Sequence, residues 1–158
     1  MEKPQRNQIQ NPDLNFRPTA FCLIIDLIKN VIIVENESRL VGGGREQGET
    51  PQEACIREIE EETGIIVQKE KLHFFREIKF QTSKFYTDGQ YWNGKKGSVF
   101  IYEYDSKLFA GVEATEEGIP HGKLSWCDLD EFFTINSDIN RGEFEQFCRE
   151  NNLPLKSK

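Results

Sequence analysis

Apolar residues run almost unbroken from Pro18 to Leu27, the pattern of a strand buried on both faces. Lys29-Asn30 reads as a turn, and Val31 to Glu35 as a second strand returning beside the first. Leu40 and Val41 lead into Gly42-Gly43-Gly44, which reads as a loop. The spacing then predicts a helix over Pro51 to Thr63. Thr50 is a good N-cap, Pro51 suits the first helical position, Glu53 completes a capping box and Gly64 supplies the stop. Leu72 to Gln81 and Ser98 to Tyr104 read as strands, with Thr82 to Gly97 between them as loop, and Trp126 near the end of a further short strand. Asp128 to Phe133 and Arg141 to Asn151 read as helices, the second with Phe144, Phe147 and Cys148 on one face.

The first seventeen residues carry Pro4, Pro12 and many Gln and Asn, so they are expected to form a flexible arm. Residues 18–153 are expected to form one domain, with 154–158 as a polar tail, because no repeat or linker divides them. Strands on both sides of a central helix, with helices at the end, predict a mixed sheet covered by helices.

Composition narrows the possible partners. A net charge of −7 over 158 residues argues against general affinity for nucleic acid or anionic membrane, both of which call for basic surface. An anionic small molecule would need local help from cations or a few aimed Arg and Lys side chains. The longest apolar run, Ala20 to Ile28, is broken by Asp26 and too short to span a bilayer, and the start of the chain lacks the apolar segment of a secretory signal. Cys22, Cys55, Cys127 and Cys148 show no paired metal-site spacing. They are expected as reduced thiols, which together with the absent signal predicts a cytoplasmic protein. His73 and His121 form no metal-spaced pair and are expected to be structural.

The helix over Pro51 to Thr63 carries the chemistry. Cys55, Ile56, Ile59 and Thr63 gather on one side of it, and Glu58, Glu61 and Glu62 on nearly the opposite side. A solvated acidic face is the bland explanation. However, like charges at these spacings destabilise a helix by about 0.2–0.5 kcal/mol per pair, and Arg57 is the one cation nearby. A bound dication accounts better for the stripe, and hard oxygen donors suit Mg²⁺ or Mn²⁺. The loop before the helix comes close to a phosphate-binding loop, since Gly43, Gly48 and Thr50 fit that frame. Glu49 stands where the lysine should be and would repel phosphate, so the match fails.

Gly43, Glu49, Arg57-Glu58-Ile59, Glu61-Glu62 and Gly64-Ile65 stand at the spacing of the Nudix box and fill all nine of its defining positions. The chain thus resembles the Nudix hydrolases over 23 residues, Gly43 to Ile65. One departure is Val41, where many members have Pro. The resemblance implies an α+β fold, an α/β/α sandwich with a mixed sheet and a catalytic loop-helix-loop. It also implies divalent-metal-dependent hydrolysis of a nucleoside diphosphate linked to some group X, with Mg²⁺ or Mn²⁺ as cofactor. By the same resemblance Glu58, Glu61 and Glu62 are expected as metal ligands with the Gly42 carbonyl, and Arg57 as the residue that orients the glutamates. Glu58 or Glu61 would double as the base. A later loop supplies a further carboxylate in many members; of Glu113, Glu116 and Glu117, the Glu117-Gly118 segment fits best.

For the substrate, Tyr86 and Trp92 are expected to stack on a base, and Arg17, Arg45, Lys84 and Lys95 to meet phosphates. A nucleoside triphosphate or modified nucleotide is the first expectation. Dinucleoside polyphosphates, nucleotide sugars and RNA 5′ ends are the alternatives, and the box does not separate them. A small-molecule nucleotide is the expected partner, and a homodimer is compatible with the sequence. A Nudix-fold module that binds without catalysis is the competing class. Such modules usually lose carboxylates from the box, whereas Glu49, Glu58, Glu61 and Glu62 are all present.

Overall fold

A computed structural model describes residues 15–36, 38–87, 89–105 and 124–155, side chains at 81–84 excepted. Six strands form one sheet: β1 (Phe16–Asp26), β2 (Val31–Glu35), β3 (Val41–Gly44), β4 (Leu72–Thr87), β5 (Gln90–Glu103) and β6 (Leu124–Asp128). Helices α1 (Pro51–Thr63), α2 (Leu129–Ile135) and α3 (Arg141–Glu150) accompany it. The strand order is β4-β5-β1-β2-β6, with β3 also paired to β1. β1 and β5 run parallel and every other pair is antiparallel, so the sheet is mixed as expected.

Alternation along the central strands explains the unbroken apolar run. Ala20, Cys22 and Ile24 of β1 join Phe100 and Tyr102 of β5 on one face, against Cys55 and Ile59 of α1. Leu23 and Ile25, with Val99 and Ile101, face the other way against Phe132, Phe144 and Cys148 of α2 and α3. Successive strand residues point to opposite faces, and here both faces are covered, so neither set is polar. The result is the α/β/α sandwich.

α1 has the ends the sequence predicts. The Thr50 side chain accepts from the Glu53 N–H, the Glu53 carboxylate accepts from the Thr50 N–H, and Gly64 closes the helix in the left-handed conformation at φ 79°. α2 and α3 are capped by Asp128 and Asn140, whose side chains accept first-turn N–H groups.

Three elements differ from the sequence reading. Gly42 to Gly44, expected as a loop, belong to β3 and pair with Thr19 to Phe21, because backbone ladders need no side chain. Of Thr82 to Gly97, also expected as loop, residues 82–87 and 90–97 form the outer half of the β4–β5 hairpin, where Phe85 pairs with Trp92 and Tyr86 with Tyr91. Its register irregularity between Gln81 and Phe85 breaks the alternation that would have betrayed it. Phe16 and Arg17, placed in the arm, open β1, and Asn15 and Phe16 are buried. Among the described residues no helix is long and apolar enough to cross a membrane.

Candidate active site

β3 is a strand almost without side chains, and that shapes the site. A Cβ on Gly43 would lie 2.6 Å from Glu58 Oε1, whereas a Cβ on Gly44 would strike the Arg17 guanidinium on the opposite face of the strand. The two glycines thus make room for an acid on one side and a cation on the other. Gly42, at φ 151°, lies so close to Ala20 and Phe21 of β1 that any side chain would collide. Its N–H donates to Glu62 Oε2 at 3.1 Å, which ties the strand to α1.

A cavity of about 700 Å³ opens at this strand. Glu35, Glu58 and Glu62 line it together with Arg17, Arg39 and Lys95. Phe21 and Phe80 add apolar wall, and their rings meet edge to face at 5.4 Å. Acids and bases therefore share one space. A smaller cavity of about 290 Å³ lies elsewhere, among Asp26, Lys71, Glu103 and Asp105, and contains no box residue.

Arg57 is the hub beneath the cavity. Its Nε and Nη2 donate to Glu49 at 2.7 and 2.9 Å, its Nη1 to Glu58 at 3.0 Å and Glu61 at 3.3 Å, and its Nη2 also to the Gly44 carbonyl at 3.1 Å. One side chain thus fixes the loop, the helix and β3 together. The Arg57 hydrogen bonds, aided by the Glu46 N–H, hold the Glu49 carboxyl down at about 2. The same contact with Glu49 raises Arg57 further. Glu62 behaves oppositely. Burial, contact with the Glu35 carboxyl and the charges of Glu35 and Glu58 push it up to about 10, against the bond from Gly42. Lys95 is lowered by burial and by the nearby charges of Arg39 and Arg17. Burial and then like-charged neighbours thus disfavour the charged form of an acid and of a base in the lining of one cavity, as in a site built to receive ions of both kinds.

The residues expected from the sequence divide clearly. Gly42, Glu58, Glu62, Arg17 and Lys95 come together in the cavity wall. Arg57 stands behind Glu58, and Glu61 reaches Arg57 with its side chain 57% exposed. Arg45 turns to the Glu49 carbonyl at 2.8 Å and does not line the cavity. Tyr86 stacks edge-on with Tyr91, and Trp92 donates to the Thr87 carbonyl, both on the outer half of the hairpin and outside the cavity wall. Glu117 and His121 lie outside the described residues, as does the Lys84 side chain. His73 meets Glu103 at 2.7 Å, away from the site.

Two residues went unnoticed in the sequence, Glu35 and Arg39. The available signal for Glu35 was its phase, since it ends an apolar strand two positions after Ile33 and so shares that residue's inward direction. Arg39 offered none, because it sits in the connection between β2 and β3.

Hard carboxylate oxygens around a cavity suit a divalent cation. The crowding that pushes up Glu62 is what such an ion would relieve. Among the described residues no three acidic side chains converge as they stand on a point an ion could occupy. Glu58 is turned to Arg57 and Glu62 to Gly42, so both carboxylates would have to swing to meet one.

The fold, the box and this cavity define a class, and the comparisons agree. The NUDIX domain family model matches residues 15–147. The chain belongs to the Nudix family, hydrolases acting on phosphoanhydride bonds. No curated protein matches it in sequence. Among solved structures it is similar to the dihydroneopterin triphosphate pyrophosphohydrolase of E. coli, at 21% identity over 84% of this chain and 96% of that one, with a TM-score of 0.55. It is also similar to the MutT protein of Methanosarcina mazei Go1, at 19% identity over 96% and 98% of the two chains, with a TM-score of 0.53. The MutT protein of Bacillus halodurans gives 20%, 84%, 80% and 0.50 for the same four quantities. At these identities the likeness is one of fold.

Proposed function

We propose that this chain is a divalent-metal-dependent pyrophosphohydrolase acting on a nucleoside 5′-triphosphate or a modified nucleotide. The carrying observation is that Glu58 and Glu62 line one cavity at β3 together with Arg17, Arg39 and Lys95. A polyphosphate is the ligand class that needs both sets. Its oxygens meet the three cations, while the acids take the cation that accompanies it.

Glu58, Glu61 and Glu62 would hold Mg²⁺ or Mn²⁺ with the Gly42 carbonyl. When bound, the ion supplies charge neutralisation on the phosphate oxygens and makes water easier to deprotonate. Arg17, Arg39 and Lys95 bind and orient the polyphosphate. Arg57 sets the positions of Glu49 and Glu58. Glu58 is the better placed of the two candidate bases, since it lines the cavity and Glu61 does not. It would take the proton from the attacking water. Phe21 and Phe80 offer an apolar surface to the rest of the nucleotide.

The test is a panel of substrates with Mg²⁺ or Mn²⁺: the common and oxidised nucleoside triphosphates, dihydroneopterin triphosphate, dinucleoside polyphosphates and nucleotide sugars. Products are identified by mass, and ¹⁸O-labelled water shows which phosphorus is attacked. Release of pyrophosphate and a nucleoside monophosphate from one triphosphate is expected. Binding of nucleotide with no metal-dependent turnover of any compound would favour the non-catalytic module instead.

A further inference from the structure

The geometry points to Glu35 as an additional carboxylate ligand for the divalent cation, supplied from β2 opposite the glutamates of α1. This rests on the reading of the site as a metal-dependent pyrophosphohydrolase. Glu35 is the last residue of β2 and in phase with Ile33, which packs in the α1-side core, while Ile32 and Val34 face α2 and α3. Its side chain is thereby aimed at α1. There it meets the Glu62 carboxyl and lines the same cavity as Glu58 and Glu62.

Glu35 is 2% exposed, and its Oε1 has no hydrogen-bond partner. A buried polar atom is normally satisfied, and one that is not demands a reason. Packing supplies none, since a Gln or Leu at this position would fill the strand end without the cost of burying a carboxyl. The side chain it meets is another carboxyl, that of Glu62, which as a carboxylate has no proton to offer Oε1. Among the described residues no ion pair links Glu35 to Arg39, although both line the cavity. A hard dication is the partner that would satisfy a free carboxylate oxygen beside two other carboxylates. A ligand on β2 would also brace the ion from the sheet, so that it no longer depends on one helix alone.

The experiment is Mn²⁺ binding to the metal-free full chain, followed by electron paramagnetic resonance of the free ion, without substrate. Glu35→Gln is expected to weaken Mn²⁺ binding about tenfold or more, with an unchanged circular dichroism spectrum. Glu35→Asp, which retracts the carboxylate by one methylene, is expected to fall between the two and carries the test if Glu35→Gln does not fold. Wild-type affinity and stoichiometry in the folded variant overturn the proposal while leaving the hydrolase reading intact. A wild-type chain that binds no Mn²⁺ and hydrolyses no nucleotide overturns both.

Discussion

Arg57 grips Glu49 through two parallel bonds, Nε to Oε2 at 2.7 Å and Nη2 to Oε1 at 2.9 Å, and so pins the loop after β3 to the middle of α1. A lysine has one charged nitrogen and cannot reproduce the fork. Arg57→Lys should therefore lower stability by about 1.5–3 kcal/mol, the range for hydrogen bonds to charged groups. It should also cut kcat about a hundredfold by letting Glu58 drift. Urea unfolding and steady-state kinetics on the same preparation check both. A variant with wild-type kcat would mean that Arg57 supports the fold alone.

The same pair sets an acid limit. Glu49 titrates at about 2 in the folded protein and has an ordinary value of 4.5. Its contribution to stability is complete above about pH 4.5 and is lost as pH falls towards 2. The stability difference between the wild type and Glu49→Gln should be constant at neutral pH and shrink as pH falls through that window. A difference that stays flat down to pH 3 would contradict the assignment.

Glu62 has the opposite sign. Its value rises from 4.5 to about 10 in the fold, so the metal-free protein is favoured by the protonated acid and loses that contribution as pH climbs from 4.5. Glu62→Gln keeps an acceptor for the Gly42 N–H and removes the crowding with Glu35 and Glu58. In chelator at pH 8 it should melt at or above the wild-type temperature, with Mn²⁺ stabilising it less than it stabilises the wild type. Its kcat should drop at least about a hundredfold, as for a displaced catalytic constellation. Calorimetry with and without Mn²⁺ decides this.

Gly43→Ala would place a methyl group 2.6 Å from Glu58 Oε1. The carboxylate must give way, and a displacement on the order of 1 Å in a catalytic group costs about a hundredfold in rate. We expect kcat to fall by that factor with little change in KM and an intact fold.

Lys95→Gln removes one of three cations from the cavity wall and leaves the acids in place. KM for a triphosphate should rise about tenfold, or about 1.4 kcal/mol, with kcat nearly unchanged, because the loss is of uniform binding. The salt dependence of kcat/KM should also flatten. A drop in kcat at constant KM would instead place Lys95 at the breaking bond.

Local signals were strong where the chain folds on itself. Thr50, Pro51, Glu53 and Gly64 declare both ends of α1 within the helix and its caps, and the spacing of Glu58 and Glu62 follows from the helical repeat. Signals failed where partners are remote in sequence. Nothing near Gln90 says that its strand will pair with Thr87 and run on past a register shift. The phase of Glu35 gives the direction of its side chain, but not that β2 ends against the half of α1 that carries Glu62. Tyr86 and Trp92 look like base-stacking residues in the sequence because aromatic rings beside lysines fit nucleotides. In the fold those rings are engaged with Tyr91 and Thr87 on the hairpin's outer half.

Among the described residues β3 pairs with no strand but β1 and sends a single side chain, Val41, into the core; beyond that pairing it is held by the Gly42 N–H bond to Glu62 and the Arg57 bond to the Gly44 carbonyl. Its opening therefore surrenders little apolar contact, and segments of that kind come apart well before a domain does. Warming or mild urea should silence the enzyme while its circular dichroism still looks native. Backbone amides of Gly42 to Gly44 should exchange with deuterium ahead of those in the middle of β1 and β5.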